Sequence, residues 1–114
     1  MEKHEVERFL TDFRTKKGIW GIRFYNERNK NTQALLFLEI TPAQREKIID
    51  ALVALDYVEG PIEDAMYRKS DMWVFGRIVS DIEIYIKITM GDINSQTICI
   101  SFHPAEHALG YPLR

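Results

Sequence analysis

Cysteine is nearly absent from this chain. Cys99 stands alone, so no internal disulfide can form and a cytoplasmic location is the default expectation. Its place in the middle of a strand-like run marks it as packing rather than as a reactive thiol. Long apolar runs are missing as well: nothing approaches the roughly 20 residues needed to span a bilayer. The charged opening Met1-Glu2-Lys3-His4-Glu5 carries none of the apolar core of a secretory leader, and no membrane association is expected. There are no repeats, no low-complexity tracts, no glycine-rich phosphate loop and no Ser-His-Asp spacing. A net charge of −2 leaves no global excess of cations for indiscriminate nucleic-acid binding.

What is present fits one α+β domain. A chain of 114 residues, 46% of them apolar, is enough for a single domain over 1–114 with one core. The charge is unevenly spread. Residues 14–30 hold six basic side chains against Glu27, a net of +5, and residues 39–64 hold seven acids against Arg45 and Lys47, a net of −5. Such asymmetry suits an anionic partner on one face and a basic one on another, although a charge run is usually only a solvated face.

Helical signals come first. Val6, Phe9, Leu10 and Phe13 recur at helical spacing, and Lys16 and Lys17 precede Gly18 as a predicted C-cap. Ile22 to Tyr25 reads as a short strand. Thr32 to Glu39 is predicted helical with Asn31 as its cap. Thr41-Pro42-Ala43-Gln44 is a capping box with proline at the first helical position, opening a helix to about Leu55 that buries Ile48, Ile49, Leu52 and Val53. Asp56 to Glu59 is a short strand or turn, Gly60-Pro61 a break, and a polar loop extends to Ser70.

Strands follow. Met72 to Val79 is one, joined through Ser80-Asp81 to Ile82–Met90, whose alternation is unbroken. Ile82, Ile84, Ile86, Ile88 and Met90 point to a core; Glu83, Tyr85, Lys87 and Thr89 point away. After a turn at residues 91–95, Ile98, Ile100 and Phe102 continue the apolar face, and Thr97, Cys99, Ser101 and His103 take the other. The expected architecture is two or three helices packed on one face of a small antiparallel sheet. Pairing of the last two strands places His103 opposite Glu83 or Tyr85.

Tyr85, Lys87 and His103 thereby share one exposed face. Singly, each has a bland reading as a strand aromatic, a solvated lysine and a strand-end histidine. Together they supply what metal-free phosphodiester cleavage requires: groups that take and give protons, and a cation for the phosphorane. An imidazole suits the first role because it titrates near neutrality. His103-Pro104-Ala105-Glu106-His107 matches the letters of a zinc-binding pattern, but Pro104 keeps His103 out of a helix, and neither metal nor cofactor is expected.

Leu38-Glu39-Ile40, the helix ending at Asp56-Tyr57, Asp71-Met72-Trp73, Tyr85-Ile86-Lys87-Ile88 and Ile100-Ser101-Phe102 with a basic residue after it occur in that order. In this the chain resembles the MqsR family of type II toxin–antitoxin toxins, small RelE-like ribonucleases. The resemblance implies a metal-independent mRNA endonuclease neutralised by a cognate antitoxin, usually a helix-turn-helix protein encoded next door. Tyr85 matches the family's catalytic tyrosine, and His103 stands where the family has a lysine. The family's other functional lysine and its glutamine fall on Glu59 and Val74, two departures from the pattern. His103, Tyr85 and Lys87 are the expected catalytic set, and Arg77, Arg68 and Lys69 the expected RNA contacts. The rival expectation is a degenerate, non-catalytic toxin that only binds its partner.

Overall fold

The structure, a computed structural model, describes residues 1–25, 29–65 and 70–114. Helix α1 (Lys3–Trp20) leads into strand β1 (Ile22–Phe24), then helices α2 (Lys30–Leu38) and α3 (Pro42–Asp50). After a 3₁₀ turn at Ala54–Asp56 come β2 (Tyr57–Ile62), β3 (Met72–Val79), β4 (Ile82–Thr89) and β5 (Thr97–Pro104). The strands form one sheet in the order β1-β5-β4-β3-β2. It is antiparallel apart from β1, which runs parallel to β5. This is the α+β arrangement expected, with the parallel edge strand added.

The alternation of β4 sets the core. Ile84, Ile86 and Ile88 are fully buried, and Phe75 and Phe102 beside them likewise. The helices bury their apolar stripes against this one face: Val6, Phe9, Leu10 and Phe13 from α1, Ala34 and Leu38 from α2, Ile49 from α3. Phe9 seats α1 on β3 by stacking on Trp73 at 4.4 Å and 11°.

Two helix ends differ from expectation. Helix α1 continues through Gly18 and stops at Gly21, whose φ of +85° suits glycine and whose N–H donates to Lys17 O. A mid-helix glycine costs about 1 kcal/mol, but the last turns are anchored from outside. Arg14 donates to the carbonyls of Asp50 and Leu52, Lys16 to those of Met90 and Asp92, and Lys17 pairs with Glu46 and Asp50. Helix α3 keeps its Thr41/Gln44 capping box but ends at Asp50 rather than near Leu55. The Asp56 carboxylate accepts from Val53 N at 3.0 Å, drawing the backbone out of the helix and leaving Val53 half exposed.

Strand β5 carries one extra residue. Lys87 pairs with Ser101 but Ile88 with Cys99, so Ile100 has no opposite number. A bulge shifts the side-chain phase by one. Cys99 therefore joins Phe102 in the core, Thr97 is fully buried, and Ile98 pairs with Thr89 instead of facing the helices. Ser101 and His103 lie beyond the bulge and keep the outer face.

Asn31, expected as a cap, lies inside α2 and is buried; Asn29, in the left-handed region, precedes the helix. The Asn31 amide nitrogen donates to Tyr25 O and Ile100 O, and its oxygen accepts from Phe102 N at 2.8 Å. The side chain thus takes over the edge of β5 where β1 ends. Each group it serves would cost about 1–3 kcal/mol if left buried and unpaired.

Candidate functional site

The β4–β5 register settles which residue faces His103: it is Tyr85. The two rings stack with centroids 5.4 Å apart at 19°. Lys87, two residues on and on the same face, lies opposite Ser101. Its Nζ stands 5.9 Å from the Tyr85 ring centroid. The trio expected from alternation is therefore assembled.

The C-terminal tail supplies the opposite wall. Leaving β5, it crosses the outer sheet face and is tied to Glu83. That carboxylate accepts from Leu109 N at 3.0 Å and from Tyr111 Oη at 2.8 Å. Burial, seconded by Glu83, pushes the Tyr111 phenol up to about 12. Gly76 makes the crossing possible: a Cβ there would collide with Tyr111 Oη and stand 2.7 Å from Leu109 Cδ1. The result is a cavity of about 350 Å³ with Tyr85, Lys87, Ser101 and His103 on the strand side. Glu106, His107 and Leu109 of the tail and Lys30 of α2 close it.

The electrostatics separate the roles. Burial raises the Tyr85 phenol above its ordinary value, and the negative charges of Glu59 and Glu106 act in the same direction. Tyr85 thus stays protonated near neutrality, a donor and not a base. His103 Nδ1 lies 2.9 Å from Pro104 O. A carbonyl only accepts, so Nδ1 donates, which in a neutral ring puts the lone pair on Nε2. At the rim Lys30 binds Glu106 and holds that carboxyl below the usual range.

Other expected contacts fall elsewhere. Arg77 pairs with Ile84, so it lies on the helix face of the sheet and not beside Lys87. There its guanidinium donates to Ala51 O at 2.7 Å and Asp56 Oδ2 at 3.0 Å. Arg68 and Lys69 lie outside the described residues. Of the basic stretch at residues 14–30, Arg14, Lys16 and Lys17 are committed to backbone carbonyls and carboxylates. His103, Glu106 and His107 meet on a strand end and its following loop rather than on a helix, and no metal-binding cluster occurs among the described residues. Sequence reasoning missed Lys30 and the tail wall. The one signal for the wall was Gly76 in an apolar strand, a mark of close approach.

No protein-family model, curated protein or solved structure matches the chain. No helix among the described residues is long and apolar enough to cross a membrane.

Proposed function

We propose that this protein is a toxin of the MqsR-like type, a metal-independent endoribonuclease acting on mRNA in the cytoplasm and neutralised by a cognate antitoxin. The observation that carries the reading is the stacked Tyr85–His103 pair beside Lys87 in an open cavity. His103 Nε2 takes the proton of a ribose 2′-hydroxyl as its oxygen bonds to phosphorus. The bond to the 5′-oxygen breaks, and Tyr85 protonates that leaving oxygen or steadies it by a hydrogen bond. Lys87 neutralises the charge on the phosphorane. The products are a 2′,3′-cyclic phosphate and a free 5′-hydroxyl.

The test is incubation of the purified protein with RNA, with and without EDTA. Cleavage giving those ends, unchanged by EDTA, is expected. His103→Ala should lower the rate by about 10²- to 10⁴-fold without loss of fold, and Tyr85→Phe by as much only if the phenol transfers the proton. A folded His103→Ala protein that cuts at the wild-type rate would refute the assignment. Intact RNA with the wild type would leave the non-catalytic partner-binding reading in its place.

A further inference from the structure

A second cavity, of about 490 Å³, adjoins the first on the far side of His103. Lys30, His103 and Glu106 line both, so the two form one cleft bent around the imidazole. Its volume falls in the range of small-ligand pockets. Its character differs from that of the cavity over Tyr85. Lys30, Gln33, Ala34 and Phe37 follow the i, i+3, i+4, i+7 spacing that presents one face of α2, and Ile82 and Pro104 lie across from them. Phe37 is 64% exposed, an aromatic ring held open to solvent at the mouth of an apolar cleft.

We propose that this cleft binds the nucleobase next to the scissile phosphate, with Phe37 as its stacking partner and Gln33 as the group that reads its edge. The inference rests on the ribonuclease reading of the adjoining cavity. Unpaired RNA bases are bound by stacking on exposed aromatics, with polar side chains meeting their edges. The geometry fits that pattern: because Lys30, His103 and Glu106 line both cavities, a nucleotide attached to a phosphate near Lys87 and His103 can reach the Phe37 side of the imidazole. Lys30, between the two and paired with Glu106, can hold the intervening backbone by exchanging that exposed carboxylate for a phosphate. The Gln33 amide offers both a donor and an acceptor, so it can discriminate between base edges.

The experiment uses the full chain and non-cleavable 2′-O-methyl homopolymers of adenine, cytosine and uracil, with binding read by fluorescence anisotropy. A matching backbone oligomer without bases is the control. Phe37→Ala should weaken the best-bound homopolymer by roughly 5- to 150-fold and leave the abasic oligomer unchanged, and Phe37→Trp should restore binding. Gln33→Ala should level the preference among the three bases. If the wild type cleaves RNA but Phe37→Ala binds every homopolymer as well as wild type does, the base cleft is refuted and the ribonuclease reading stands. If the wild type neither binds nor cleaves RNA, both fall together. If Phe37→Ala loses base-bearing and abasic oligomers equally, the ring acts on the fold or backbone and the base cleft is again refuted.

Discussion

Single residues here are defined by what they are packed against more than by their chemical type. Cys99 is completely buried, and burial pushes its thiol up to about 12 from an ordinary 9.0 against the weaker pull of the Arg45 cation. In the unfolded chain the thiol ionises near its ordinary value; in the folded one it stays protonated. Its contribution to stability is therefore complete below about pH 9 and is lost as pH rises toward 12, by up to about 1.4 kcal/mol per pH unit. Urea unfolding of the wild type between pH 8 and 11 should thus decline more steeply than that of Cys99→Ala. Equal slopes would mean that the thiol is not sealed from water. Tyr111 titrates over a similar range but is present in both proteins, so the comparison isolates Cys99. Sequence reading placed Cys99 as a packing residue yet on the wrong face, because a one-residue bulge leaves no mark in a run of β-branched and small side chains. Arg45 was invisible in the same way. It is buried, with its guanidinium 3.5 Å above the Phe24 ring, and no periodicity announces a cation stacked under a helix.

Elements were legible where local chemistry decides and illegible where distant side chains decide. The alternation of β4 and the capping box of α3 are encoded in adjacent residues, and both are realised. The end of α1 depends on Arg14 and Lys16, and that of α3 is held by Arg77 binding Ala51 O and Asp56, contacts across the fold that spacing along the chain does not disclose. The grouping of Tyr85, Lys87 and His103 was readable because they lie on two strands joined by one short turn. The tail that completes the cavity was not, since it returns to β3 and β4 from the far end of the chain. That tail is held by Glu83 and by the bare backbone of Gly76. Gly76→Val puts a branched side chain where Tyr111 and Leu109 lie. The strand cannot yield, being paired on both sides, so the tail must. Chymotrypsin should then cut after Leu109 much faster than in the wild type, with a stability loss of about 1–3 kcal/mol. Equal protection of the two proteins would show that the tail is not seated against β3.

At the scale of the whole molecule, on the proposed function, the net charge of −2 and the internal use of cations would determine how RNA is held. Arg14, Lys16, Lys17 and Arg77 are bound within the fold, and Arg114 pairs with Asp56 and lies over the Tyr111 ring. With these cations spent inside the fold, affinity for RNA on the proposed function would come from the cleft, where among the described residues Lys87, and Lys30 once it exchanges Glu106 for a phosphate, face the substrate path. Each phosphate neutralised on a single strand contributes about −0.7 to the slope of log K against log salt. Two contacts give about −1.4, so binding of a short single-stranded RNA should weaken only about seven-fold between 50 and 200 mM salt. Lys87→Ala should halve that slope as well as lower the affinity, because one counterion release is removed. Affinity carried by stacking in the Phe37 cleft is indifferent to salt and should persist at the upper concentration. A measured slope near −4 would require about six phosphate contacts. That is more than the cleft can supply, and it would place the RNA on some other surface than the one built by Tyr85, Lys87 and His103.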